Sequence, residues 1–192
     1  MQVIGITGQT GAGKSTVCRL LEARGFYHID ADLVAKSLYQ KGAPILEELA
    51  AAFGSQILSI DGALDRQALA LTAFSTPEKT ALLGKIVHPA VNARIKDMLA
   101  AQEAAGTKGV LIDAIALFES GEAELCDFTL GVLAPEDVRL ARIMKRDGIT
   151  EGEALLRMRA QPEEAYFIQH CDRILRNAPP YSLEEEVAKL IL

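Results

Sequence analysis

The chain has 192 residues, 49% of them apolar, enough for one domain with a substantial buried core. Its net charge of −6 argues against a broad nucleic-acid-binding face, because such faces are dominated by clustered Lys and Arg. The N-terminus carries no basic, apolar, cleavable prefix and no apolar run approaches membrane-spanning length, so the expectation is a cytoplasmic protein with neither nucleic-acid nor membrane partners.

The apolar run Val3 to Ile6 reads as a first strand, and it leads directly into Gly8-Gln-Thr-Gly-Ala-Gly-Lys-Ser15, a full match to the phosphate-cradling pattern GxxxxGK(S/T). Glycines allow close approach of the main chain, so successive amides, including those of Gly11, Ala12 and Gly13, can point at phosphate oxygens. Lys14 adds a mobile positive charge, and Ser15 supplies the hydroxyl expected on Mg²⁺. Val17, Leu20 and Leu21 recur at helical spacing, so a helix follows the loop and turns the positive end of its dipole toward the same phosphates. Strand, loop and helix in this order predict a bound nucleoside triphosphate.

Further strand-like runs occur at Phe26 to Ile29, Val110 to Ile112, Phe128 to Leu133 and Arg173 to Leu175, with helical periodicity between them. This alternation predicts an α/β fold with a parallel sheet covered on both faces. The longest gap, about residues 30–108, holds several helices and a turn at Asp61-Gly62, more than a crossover needs, and is expected to shape a substrate pocket. Pro44 and Pro77 suit first helical turns, Thr150 with Glu153 and Ser182 with Glu185 have capping-box spacing, and Pro89 is expected to end the helical pattern at His88 and open a new helix.

Ligands of an open α/β sheet collect beyond the carboxyl ends of its strands. The second run ends at Asp30-Ala-Asp32. Asp30 suits a helix cap or a substrate hydrogen bond, whereas Asp32 suits a general base or a carboxylate that orients an alcohol toward a γ-phosphate. Asp113 ends the third run, where it either caps a helix beyond Ala114 or holds Mg²⁺ through water. The fourth run is followed by Arg139, Arg142 and Arg146 at helical spacing, either an ordinary charged face or part of a lid closing on phosphates. Leu33, Val34, Leu46, Leu49, Phe53, Leu69, Leu71 and Phe74 read as core or as an apolar pocket wall. Cys18, Cys126 and Cys171 form no ligand or disulfide pattern, and His28 and His170 show no partner pattern.

Taken together, Thr7-Gly8 before Gly11-Ala-Gly-Lys-Ser-Thr16, Ile29-Asp-Ala-Asp32, Phe53-Gly54, Asp61-Gly-Ala-Leu-Asp-Arg66, Phe74, His88-Pro89, Leu117-Phe-Glu119, Arg142, Arg146-Asp147, Ala160-Gln161 and Asn177 resemble the dephospho-coenzyme A kinases over nearly the full chain. The resemblance implies a P-loop nucleotide-hydrolase fold: a five-stranded parallel sheet flanked by helices, carrying the helical insertion and a small lid over about residues 142–166. It implies transfer of the γ-phosphate of ATP to the ribose 3′-hydroxyl of dephospho-coenzyme A, with Mg²⁺ as companion ion. Asp32, Lys14 and Arg142 would act on the reacting groups. Gly11 to Thr16 and Asn177 would hold ATP, and Thr7, Phe53, Arg66, His88, Leu117 and Glu119 would line the acceptor pocket beside Asp32. The chain departs from the family in having Ile115-Ala-Leu117 where Pro-Leu-Leu is common, and in Arg139. A small-metabolite or nucleoside-monophosphate kinase would share the loop, sheet and lid. A guanine-nucleotide switch would need an Asn-Lys-x-Asp string, which is absent.

Overall fold

A computed structural model describes residues 1–190. It divides into two compact units, one comprising Met1–Ile29 and the chain from Gln102 on, the other Asp30–Ala101.

The first unit is organised by a five-stranded sheet: β1 (Gln2–Gly8), β2 (Phe26–Asp30), β3 (Gly109–Asp113), β4 (Phe128–Leu133) and β5 (Arg173–Arg176), in the order β2-β3-β1-β4-β5. β1 pairs in parallel with β3 and β4, and β4 with β5. All five expected runs are strands. They read as near-continuous apolar stretches because a parallel sheet flanked by helices is buried on both faces, and β1, β3 and β4 are buried almost throughout.

On one face, helix α1 (Lys14–Glu22) and the last described helix set Val17, Leu21, Leu183 and Val187 against Ile4, Ile6, Leu111, Leu130, Val132 and Leu175. Ile4, Ile6, Leu21, Leu111 and Leu130 are fully buried. Burying each such side chain contributes about 1.5–3 kcal/mol, so this layer fixes the sheet on which the phosphate loop is mounted.

Among the described residues, α2 (Ala31–Ser37), α3 (Pro44–Phe53), α4 (Arg66–Ala73) and α5 (Pro77–Ala104) follow β2, and α6 (Glu136–Asp147), α7 (Glu151–Arg159) and α8 (Glu164–His170) lie between β4 and β5. The last described helix is α9 (Leu183–Leu190). Ile45, Leu46, Leu49, Phe53, Ile57, Leu69 and Ala73 are buried in the second unit, while Leu33, Leu71 and Phe74 are exposed there and are not core. The Asp61-Gly62 turn is present, with the Gly62 amide donating to the Ser59 carbonyl and Leu58 bridging Leu64.

The expected break at His88 does not occur. α5 runs through Pro89, although proline lacks an amide donor and crowds the preceding turn. Val87, Val91 and Ile95 fall one turn apart and are buried, so packing on both sides of the proline outweighs its local preference. Thr150 and Glu153 form a reciprocal capping box on α7. Of the second expected box only one half appears: the Ser182 hydroxyl accepts from the Glu185 amide and itself donates to Glu184.

Candidate active site

The phosphate loop owes its shape to where its main chain must pass. Gly13 caps α1 at φ 101°, a left-handed conformation, and a β-carbon there would collide with the Asn177 side-chain amide. Gly11, at φ 76°, passes so close to α6 that a β-carbon would lie 2.7 Å from the Arg139 carbonyl.

The loop's carbonyls are held from behind. Asn177 Nδ2 donates to the Ala12 carbonyl at 2.7 Å, one Arg142 nitrogen donates to the Gly11 and Ala12 carbonyls at 3.3 Å each, and the other donates to the Asn177 carbonyl at 3.0 Å. The Asn177 amide is in turn fastened to the Leu133 carbonyl at the end of β4. The Ala12 amide donates to the Gln9 carbonyl and the Thr16 amide to the Gly13 carbonyl; with the loop's carbonyls taken up, the first amides of a helix, which as a rule lack intrahelical partners, offer further N–H donors to an anion. Lys14 Nζ is folded back onto the Gly8 carbonyl at 3.4 Å.

These residues open onto a cavity of about 580 Å³ whose lining includes Gly11, Gly13, Lys14, Ser15 and Thr16 together with Asp113, Arg142, Arg146 and Asn177. Ser15 and Asp113 put a hydroxyl and a carboxylate on the same cavity, hard oxygen donors of the kind Mg²⁺ accepts. No helix follows Ala114 directly; turns lead instead to a 3₁₀ segment at Glu122–Leu125, so the helix that Asp113 was expected to cap is not there.

The expected lid is helical. Ile143, Ala154 and Met158 form a small cluster that packs α6 against α7, and Asp147 accepts from Arg146 at 2.7 and 2.9 Å and from Arg157 at 2.7 Å. The hydrogen bonds from Arg146 hold the Asp147 carboxyl below its ordinary range. The segment after α7 is tied to the phosphate loop: Gln161 Oε1 accepts from the Thr10 amide at 2.6 Å, and the Gln9 side chain donates to the Pro162 carbonyl.

Three residues expected in the acceptor pocket also lie in this unit. Thr7 is fully buried and its hydroxyl donates to the Ile115 carbonyl, and Leu117 is fully buried. Glu119 is exposed and accepts from the Tyr166 hydroxyl at 2.8 Å. Burial, reinforced by that hydrogen bond to Glu119, pushes the Tyr166 phenol up to about 12.

The remaining expected residues belong to the second unit. Asp30 is the cap of α2, accepting from the Leu33 amide at 2.9 Å, whereas Asp32 stands exposed in the first turn of that helix. Arg66 is exposed at the start of α4, His88 is half-buried in α5, and Phe53 is buried at the end of α3.

Several features have no signature in the sequence. Arg139 is buried, donating through Nε to the Ala134 carbonyl, although charged residues on a helix usually face water. His170 stacks on Tyr166 with ring centroids 4.2 Å apart. His28 is flanked by Glu22 and Asp113. Each pairing joins residues whose proximity depends on the tertiary fold or on side-chain direction rather than on a short motif.

A family model described as dephospho-CoA kinase matches residues 2–181. The chain is 38% identical over 189 residues to a dephospho-CoA kinase of Corynebacterium efficiens, covering 98% of this chain and 94% of that one. Among solved structures, a Thermus thermophilus protein is 34% identical with a TM-score of 0.82, covering 99% of this chain and 95% of that one. A dephospho-CoA kinase from Campylobacter jejuni is 25% identical with a TM-score of 0.70, covering 100% and 96%. A phosphate loop of this geometry on this sheet, matched from end to end by such relatives, means that the chain belongs to the dephospho-CoA kinases, which phosphorylate dephospho-CoA with ATP in the last step of CoA biosynthesis.

Proposed function

We propose that the protein transfers the γ-phosphate of ATP to the ribose 3′-hydroxyl of dephospho-CoA, with Asp32 as the carboxylate that receives or aligns the proton of that hydroxyl. The observation that carries the nucleotide half is the phosphate loop braced by Arg142 and Asn177 over a cavity large enough for a nucleotide's phosphates. In this reading the amides of Gly11 to Thr16 bind the triphosphate. Lys14 leaves the Gly8 carbonyl to follow the charge that develops on the transferring phosphoryl group. Ser15, with Asp113 through water, would hold Mg²⁺, which supplies further neutralisation of phosphate charge when bound.

Arg142 serves the reaction first as a brace, since its donors are engaged by main-chain carbonyls. Asn177 stands where ATP meets the strand ends. For the acceptor, Asp32 and Arg66 are exposed polar groups of the second unit, suited to a hydroxyl and a phosphate respectively. Leu33, Leu71 and Phe74 add exposed apolar surface there for the rest of the ligand. Thr7, Leu117 and Glu119 of the first unit and Phe53 and His88 of the second complete the proposed acceptor contacts.

An acceptor panel tests this. ADP release by the purified protein should be stimulated strongly by dephospho-CoA and hardly by mononucleotides, and phosphorus NMR of the product should show a new monoester on the 3′-oxygen of the ribose. Equal stimulation by mononucleotides, or a phosphate at another position, would overturn the reading.

A further inference from the structure

Behind the phosphate loop, α1, β2 and β3 bring together three side chains that the kinase chemistry does not explain as a group. Cys18 lies one turn past Lys14 on the buried face of α1, His28 is in β2, and Asp113 ends β3. Cys18 Sγ is 3.8 Å and His28 Nε2 is 3.9 Å from the same oxygen, Asp113 Oδ2. One ligand atom from each of the three residues lies within 4.8 Å of the others. Two zinc ligands at 2.0–2.3 Å in a tetrahedron stand roughly 3.3–3.6 Å apart, so sub-ångström to roughly ångström contraction would close the set on one ion.

The histidine is oriented for this. Its Nε2 is buried without a hydrogen-bond partner, while its Nδ1 faces Glu22 Oε1 at 3.5 Å. A carboxylate behind the far nitrogen is the arrangement that fixes the tautomer and orientation of a metal-bound imidazole. Burial, with Asp113 and Glu22 close by, pushes the Cys18 thiol far above its ordinary range. A dication at the centre of the cluster would offset those same negative neighbours.

We propose that Cys18, His28 and Asp113 form a binding site for a thiophilic divalent cation of the zinc class, with water as the fourth ligand. On binding, the Cys18 S–H bond breaks, its proton passes to water and the sulfur bonds to the metal, with no change of oxidation state. Asp113 also lines the nucleotide cavity, and the ion enters from that side. The site differs from the Ser15 position in offering sulfur and nitrogen, which Mg²⁺ avoids.

Cobalt(II) is the probe. In a Cys126→Ser, Cys171→Ser background, where Cys18 is the remaining thiol of three, titration of nucleotide-free protein should raise a sulfur-to-cobalt charge-transfer band that saturates at one ion per chain and is bleached by Zn²⁺. Adding Cys18→Ser should abolish the band, and His28→Gln should weaken cobalt binding by at least about tenfold. Absence of the band in protein with wild-type circular dichroism, or unchanged affinity in His28→Gln, would overturn the proposal. Should the double substitution disturb folding, the Zn²⁺-induced rise in the thermal midpoint of the wild-type chain is compared with that of Cys18→Ser. An equal rise in both would also overturn it. These readouts use neither ATP nor acceptor, so their failure leaves the kinase reading untouched.

Discussion

Arg142 spends its guanidinium on three main-chain carbonyls, those of Gly11, Ala12 and Asn177, and lysine cannot reproduce that planar fork. Hydrogen bonds from a charged donor are worth about 1.5–3 kcal/mol. Arg142→Ala should therefore lower the thermal midpoint by about 3–12 °C for a chain of this size, with ATP affinity falling tenfold or more. Arg142→Lys should recover only a small part of either loss. Calorimetry and nucleotide titration check both, and full recovery by lysine would show that charge alone is what the loop requires. At Gly13 the constraint is steric. Gly13→Ala would force both a left-handed β-carbon and a displaced Asn177, so ATP binding should be lost while the sheet stays folded by circular dichroism.

Among the elements, α5 and the helices α6 to α8 respond in ways that can be measured separately. Pro89 sits exposed within α5, where proline costs up to about 3 kcal/mol relative to alanine. Pro89→Ala should raise the thermal midpoint, and a fall would mean that the bend imposed by the proline is needed for packing. The proline shows why a local rule failed: the dipeptide His88-Pro89 carries a real preference against helix, but the buried positions Val87, Val91 and Ile95 lie on both sides of it. The capping box of Thr150 and Glu153, by contrast, was legible because both halves of the interaction lie within one turn.

In α8 the measurable group is Tyr166. Its phenol, raised from near 10 to about 12, is held protonated in the folded chain. Its contribution to stability is therefore complete below pH 10 and lost as pH rises through 12. Cys171, raised to about 11 by burial, is lost over an overlapping range, so the informative quantity is the difference between wild type and Tyr166→Phe. That substitution should flatten the alkaline fall in stability between about pH 10 and 12, as followed by denaturant titration at fixed pH. An identical pH profile would remove the Tyr166–Glu119 contact from the account.

Over the whole molecule, the strands and the phosphate loop could be read directly. Apolar runs buried on both sides can be little else, and the loop's residue types follow from close main-chain contact with phosphate. The order β2-β3-β1-β4-β5 could not be read so, since nothing local tells a strand which neighbour it will pair with. For the same reason the bond from Asn177 to Ala12 across 165 residues could not be foreseen. Asp30 and Asp32 show the limit at the site itself. Asp30 is the cap that its place at the end of β2 suggested, bonded by the Leu33 amide, and Asp32 stands exposed in the next turn, but what either carboxylate does to a substrate is not written in so short a pattern.

In the proposed reaction the loop holds the γ-phosphate and Asp32 aligns the alcohol that attacks it. Single-turnover transfer by Asp32→Asn, at saturating ATP and dephospho-CoA, tests that division most directly. ATP affinity should stay within about twofold of wild type while the transfer rate falls about 10²–10⁴-fold, the range assigned to a positioned acid–base group. A transfer rate within a few-fold of wild type, with ATP affinity equally preserved, would contradict it.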